Sequence, residues 1–287
     1  MASIPPPVAY QPSAPPPDPP ELPEGAPSPR PRWPAWTAPV ALIAGFGAAI
    51  FAYVLIGAVA AAAGADPSDP PGGVELGATF VQDLALVASA LVFARLTSQP
   101  RLWQFGLRAT RVGPAIGWLL AGWGVFVVFS ALWVQALGIH QRDDLPKQLG
   151  AGNGALALTG VAILVTVVAP IAEEFFFRGY FFTALRSWKG VWPAAIITGV
   201  VFGAIHAGSA PAGYLVPLAL FGLVLCLLYW RTGSLYPCMS LHALNNSLAF
   251  GVSQHWDWEV PLIMLGSNLV IAAIVLPLGR AQRLATA

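Results

Sequence analysis

The sequence predicts an all-α, polytopic helical membrane protein of about eight transmembrane helices around a polar internal cavity. Three observations carry that expectation. Of the 287 residues, 56% are hydrophobic and only 9% charged, against about 25% charged in an average soluble domain. Mean hydropathy is +0.68, and apolar stretches of the roughly 20 residues needed to cross hydrocarbon recur from residue 38 onward. The net charge of +1, with basic residues scattered along the chain, offers no field for a nucleic acid, so that class of partner is excluded. Cys226 and Cys238 sit in apolar surroundings without metal-type spacing and read as buried small hydrophobes, not a disulfide or ligand pair.

Taken in order, residues 1–36 are dense in proline with Ala, Ser and acidic residues. They cannot bury enough apolar surface to fold and lack the continuous apolar core of a secretory signal. A disordered, proline-rich cytoplasmic tail is expected there, with 37–287 forming the membrane domain. Spans are expected near 38–64, 75–97, 113–139, 154–187, 191–208, 213–230, 236–252 and 260–278. The fourth is too long for one simple helix, and Pro170 marks a kink or a junction within it. Before the seventh, "RTGSLYPCMSL" carries Gly233 and Pro237, a turn followed by a fresh helix start. Loop charges support the count. Arg30 and Arg32 precede the first span, and loops after even-numbered spans carry Arg95, Arg101, Arg108 and Arg111, then Arg186 and Lys189, then Arg231, then Arg280 and Arg283. Loops after odd-numbered spans carry Asp66 and Asp69, a mixed set with Asp143 and Asp144, nothing in "GSAPA", and Asp257 with Glu259. By the positive-inside rule both termini are cytoplasmic, and dropping a span would break the alternation. Trp188, Trp192, Trp230, Trp256 and Trp258 fall near span ends, as interfacial anchors do.

Three polar constellations interrupt this apolar pattern. In "APIAEEFFFRGYFF", residues 169–182, Glu173, Glu174 and Arg178 each cost about 2.5–3.5 kcal/mol at the centre of a membrane helix unless they face one another or water. Glu174 and Arg178 are four apart, acid before base, which suits an ion pair on one helix face. Glu173 points about 100° away and is free for another partner. The second constellation is "FGAIH", where Phe202 and His206 share a face. His206 follows Glu173 by 33 residues with the midpoint in "SWKGVWP", so two helical arms would carry both groups to similar depth and let them meet. The third is "HALNN", with His242 and Asn246 one turn apart on the seventh span.

Together these groups are chemically sufficient for hydrolysis: Glu173 as base for a water, aided by His206, and His242 with Asn246 as donors to a developing oxyanion. They also come close to a zinc set, with Glu173, His206 and His242 as ligands, and the spacing alone does not choose. A glutamate mechanism without a required ion is the expectation, with zinc the alternative.

"EEFFFR", "FGAIH" and "HALNN" resemble, in order, the EExxxR, FxxxH and HxxxN motifs of the CPBP (Abi) family of intramembrane proteases, which includes the type II CAAX prenyl endopeptidases. The resemblance covers about residues 150–252, is weak over earlier spans ("FGLR" at 105–108), and is absent from the tail. It implies a helical membrane protease whose polar groups line an internal cavity. Glu173 would be the water-activating residue with His206, Glu174 and Arg178 would give support, and His242 and Asn246 would bind the oxyanion. It further implies a peptide or protein substrate, lipid-modified in the eukaryotic members, and a prokaryotic plasma-membrane location among membrane lipids. Two competing functions are an immunity-type, non-catalytic membrane scaffold and a proton or ion transporter. The absence of an internal repeat speaks against the transporter.

Five further positions are given no role. Gln82 and Asp83 lie within the second span, where Asp83 would line the cavity or pair with a neighbouring helix. His140 and His255 fall in outer loops as solvated surface, and Tyr180 reads as a helix-packing aromatic.

Overall fold

In a computed structural model the described residues are 31, 33–97, 99–139 and 145–284, and they are helical with no strand among them. The principal helices are α1 Thr37–Ala62, α2 Gly72–Arg95, α3 Val112–Leu137, α4 Ala155–Lys189, α5 Val191–Ala204, α6 Leu215–Thr232, α7 Tyr236–Ser253 and α8 Glu259–Leu284. One-turn segments at Leu102–Phe105, Leu145–Gln148 and Ala212–Tyr214 lie between them.

A helix stands at each of the eight expected places, but six are long and apolar enough to cross a membrane: α1, α2, α3, α4, α6 with its preceding turn, and α8. The chain is an integral membrane protein. The expected eight crossings are reduced to six by this measure for two reasons. α5 is apolar but only 14 residues long. The 18 residues of α7 are diluted by His242, Asn245, Asn246 and several serines. Protein covers much of α7, burying Cys238, Met239, Leu241, His242, Ala243 and Phe250, so its side chains need not be lipid-like. By contrast α1, α3 and α8 leave Ile43, Phe51, Val128, Leu132, Leu262 and Leu269 exposed, which is the surface a bilayer solvates.

α4 is continuous but not uniform. Residues Leu164–Val168 and Phe175–Phe182 are π-helical, separated by the α-helical stretch Ala169–Glu174 that opens on Pro170. Proline lacks an N–H and its ring crowds the carbonyl four residues back. The wider π turn just before it removes that conflict without breaking the helix. The second π segment is buried throughout, with Phe176, Phe177, Tyr180 and Phe182 fully enclosed.

α5 packs on α6 through glycine. A Cβ on Gly199 would meet Ala219 O at 2.6 Å, and one on Gly203 would meet Leu215 O at 2.5 Å. The two backbones therefore touch, the small-residue packing that association in lipid favours. Gly222 on α6 faces Gly199 and Phe202 at similar range. The connections meet at two ends of the bundle. At one end, Thr110 Oγ1 donates to Thr232 O at 3.0 Å, Leu235 N to Gly106 O at 2.9 Å and Tyr229 Oη to Phe105 O at 3.1 Å. At the other, Trp133 Nε1 donates to Gly213 O at 2.9 Å, and Gly72 lies against Gly150.

Most of the expected tail lies outside the described residues. Its last part, however, is ordered against the domain. Trp33 is 1% exposed, with its ring 4.7 Å from that of Phe105 and 5.1 Å from that of Tyr180. Both cysteines are free and buried, as expected.

Candidate active site

The expected ion pair is present on α4. Arg178 Nη1 lies 2.8 Å from Glu174 Oε1, and both side chains are fully buried. Arg178 Nη2 also donates to Gly222 O at 3.1 Å. The guanidinium sits 4.5 Å from the Phe202 ring centroid, a cation–π contact in desolvated surroundings. The arginine is thus held from three directions by α4, α5 and α6.

Glu174 uses the same oxygen for a second partner, His242 Nδ1 on α7 at 2.8 Å. With that nitrogen donating to the carboxylate, the other ring nitrogen, Nε2, faces Glu173 Oε2 at 4.0 Å. Phe202 and Phe221 close edge-on around the imidazole, with centroids 5.9 and 5.7 Å away. The two adjacent glutamates therefore have different fates. Each has a buried Oε2 without a hydrogen-bond partner among the described residues, but Glu174 is fixed through Oε1 by Arg178 and His242, whereas the Glu173 side chain, 14% exposed, has only the 4.0 Å approach of His242.

Asn246 is placed by a backbone consequence of Pro170. In an α-helix the N–H of Ala169 would bond to Val165 O, but in the π turn it bonds to Leu164 O. The next N–H in π register would belong to Pro170, which has none. Val165 O is left without a helical partner, and Asn246 Nδ2 donates to it at 3.0 Å. The carboxamide keeps a second N–H, because an amide nitrogen carries two donors.

His206 departs from expectation. It lies just beyond the end of α5, and its Nδ1 is 2.7 Å from Phe202 O of its own segment. No carboxylate of the described residues lies within 4 Å of its ring. The expected Glu173–His206 meeting gives way to a Glu173–His242 approach. The hairpin estimate assumed two α-helical arms, but eight residues of one arm are π-helical and advance less per residue, while the other arm leaves helix at Ala204. Phe202 bridges the gap, its ring 4.9 Å from that of His206. Glu173, His206 and His242, the conditional zinc ligands, are accordingly not gathered. Among the described residues no group of three or more His, Cys, Asp or Glu side chains is placed to hold a metal ion.

Asp83 is the residue the sequence left aside. It is 1% exposed on α2, the helix that packs on the Ala169–Glu174 stretch of α4, and its Oδ2 has no hydrogen-bond partner among the described residues. A single acidic residue inside an apolar span was the available signal. Tyr180 is a packing residue as expected, fully buried with its hydroxyl donating to Thr37 Oγ1 at 2.7 Å. His255 is exposed in a loop, and His140 lies outside the described residues. A cavity of about 100 Å³ between α1 and α2, lined by Tyr53, Gly57, Ala61, Asp66 and Val74 among others, touches none of the motif residues.

With this geometry established, comparison with known proteins points the same way as the motifs. Residues 155–248 match the family described as type II CAAX prenyl endopeptidase Rce1-like, a stretch that contains all three motifs. Over 140 residues, 47% of this chain, the sequence is 25% identical to a Bacillus subtilis (strain 168) protein named "Putative membrane peptidase YdiL", of which 55% is covered. Over 141 residues, also 47% of this chain, it is 29% identical to an Escherichia coli protein named "Uncharacterized 24.3 kDa protein", of which 64% is covered. The match thus spans less than two thirds of the length of either relative. No solved structure matches the chain.

Proposed function

We propose that this chain is an intramembrane endopeptidase that hydrolyses peptide bonds of membrane-associated or prenylated, CAAX-type substrates with a water activated by Glu173. The observation that carries the proposal is the division between the two adjacent glutamates. Both keep a buried Oε2 without a partner, but Glu174 is bound through Oε1 by Arg178 and His242, while Glu173 places its Oε2 4.0 Å from the outward nitrogen of the same imidazole with no such bond. A largely enclosed, intramembrane carboxylate held by no structural ion pair is a cost that function explains better than folding does.

In this mechanism Glu173 takes a proton from water while the oxygen attacks the scissile carbonyl. His242, oriented by Glu174, and the second N–H of Asn246 steady the oxyanion. The imidazole donates at Nε2 when it carries a proton on each nitrogen. Arg178 and Phe202 support the arrangement, and His206 assists from the end of α5 through the aromatic contact with Phe202. The resemblance to the type II CAAX endopeptidases supports the choice of substrate class. The loop charges support an orientation with both termini cytoplasmic, and the bacterial relatives support a prokaryotic plasma-membrane location. The carboxylate mechanism requires no ion, and full inhibition by a chelator with recovery on zinc addition would overturn that part.

The test is cleavage of prenylated CAAX peptides and unprenylated controls by purified wild-type and Glu173→Gln protein in liposomes, with products identified by mass spectrometry. Cleavage by wild type that disappears in the variant is the expected result. Equal cleavage by both would remove Glu173 from the mechanism.

A further inference from the structure

Basic residues collect at one end of the bundle without acidic company. α2 ends at Arg95, the connection to α3 carries Arg101, Arg108 and Arg111, and α6 ends at Arg231; residues 95–111 and 231–236 contain no Asp or Glu. The connections at the other end carry Asp66, Asp69 and Asp257. Two of the arginines are held in place. Arg108 Nε donates to Gly233 O, and the Arg108 carbonyl accepts from Ser234 Oγ at 2.6 Å, which fixes this residue on the α6–α7 turn. Two positions before Gly233, Arg231 stands between two indoles, with Cζ 4.7 Å from the ring centroid of Trp118 on α3 and 4.3 Å from that of Trp230. Trp118 lies in the second turn of α3 and is 46% exposed. The Arg231 charge is therefore drawn back from the loop along the apolar surface, to the headgroup level where indoles settle in a bilayer.

We propose that Arg231, caged by Trp118 and Trp230 and flanked by Arg108, binds the phosphate of an anionic phospholipid such as phosphatidylglycerol. No carboxylate of the described residues lies within 4 Å of Arg231. An aromatic ring attracts the cation without consuming an N–H, so the planar fork of donors is left for an anion, and its shape matches a phosphate. The occupant is a lipid because Ile116 and Leu120, on either side of Trp118, are exposed on the outer surface of α3 and offer acyl chains an apolar wall. It is anionic because a zwitterionic headgroup would bring its own cation among Arg108, Arg111 and Arg231, with no acidic residue in these connections to receive it. Thr110 bonds to Thr232 beside this place, so the lipid would seal the junction between the start of α3 and the end of α6.

The site is independent of the hydrolase proposal and stands or falls without a cleavage assay. The test is native mass spectrometry of the full-length protein released from detergent micelles that hold equal amounts of phosphatidylglycerol and phosphatidylcholine with the same acyl chains. Wild type is expected to retain phosphatidylglycerol in preference to phosphatidylcholine. Arg231→Gln is expected to lower that retention by about fivefold, the worth of one arginine beside an anionic headgroup. Arg95→Gln removes the same charge from the same end but leaves the indole cage intact, and is expected to retain lipid as wild type does. Equal retention of the two lipids by wild type overturns the proposal. So do equal losses in the two variants, which would reveal a diffuse field of charge in place of a site. If Arg231→Gln does not fold, Trp118→Leu decides: a weakened preference is expected, and wild-type retention overturns the site. Displacement of the lipid by an equal concentration of glycerol 3-phosphate would also overturn it, by showing that a soluble phosphate is the ligand.

Discussion

Replacing Arg178 by Met removes the cation that Glu174 faces and leaves a fully buried carboxylate with His242 as its remaining partner. Breaking a buried ion pair from one side costs about 3–5 kcal/mol, mainly because the surviving charge is stranded. The lost hydrogen bond to Gly222 O and the lost contact with the Phe202 face push the cost of Arg178→Met toward the upper end of that range. Glu174→Gln is gentler, because the amide oxygen still accepts from Arg178 and the guanidinium keeps its carbonyl and aromatic partners. About 1.5–3 kcal/mol is expected, the worth of a hydrogen bond to a charged group. In the double variant neither charge is stranded, so it should be more stable than the two single costs imply by about 2 kcal/mol. The measurement is unfolding in mixed micelles on titration with dodecyl sulfate, followed by fluorescence from the 11 tryptophans. Costs that add to within about 0.5 kcal/mol would show that the two residues do not act as a clamp, and the division between the glutamates would lose its basis.

Glu173→Gln should abolish peptide cleavage while changing stability by less than about 1 kcal/mol, since its carboxylate serves no structural partner; a variant that unfolds with the loss would contradict this. Glu174→Ala should lose less activity than Glu173→Ala, and a Glu174 variant equally inactive yet equally well folded would reverse the assignment. Asn246→Leu leaves Val165 O unpaired and should cost about 1–3 kcal/mol. Adding Pro170→Ala restores an N–H to that carbonyl and should recover part of the loss, and a double variant no better than the single would show that proline does not free the carbonyl. Trp33→Ala should cost about 3–5 kcal/mol in the same unfolding assay, and a cost below about 1 kcal/mol would mean that residues beside the proline-rich tail are not part of the core.

Much of the site was legible in single residues. The four-residue step from Glu174 to Arg178 fixes a shared face on any helix, and the pair is there. What the step could not reveal is that one glutamate oxygen also receives His242 from a helix 68 residues away. Nor could regular geometry anticipate His206, because the estimate depended on a uniform rise that the π turns and the early end of α5 do not provide. Pro170 was visible as an irregularity, but its effect, a freed carbonyl on Val165 met by Asn246, exists only once α7 lies against α4. Asp83 was visible as an expensive residue without a purpose, since nothing in its own span indicates that α2 packs on the motif stretch of α4.

The sequence by itself determined that the chain is helical and lives in a membrane, roughly where each helix lies, and which side chains are too polar to face lipid. These follow from composition, hydrophobic length and local spacing, which act over one or two turns. Tertiary structure alone decided which polar groups meet: His242 in place of His206 beside Glu173, Gly222 beneath Arg178, and Asp83 opposite the motif helix. Pairings of that kind depend on how far each helix rises and which face it turns to its neighbour. Two π segments and one glycine-lined contact between α5 and α6 set both quantities.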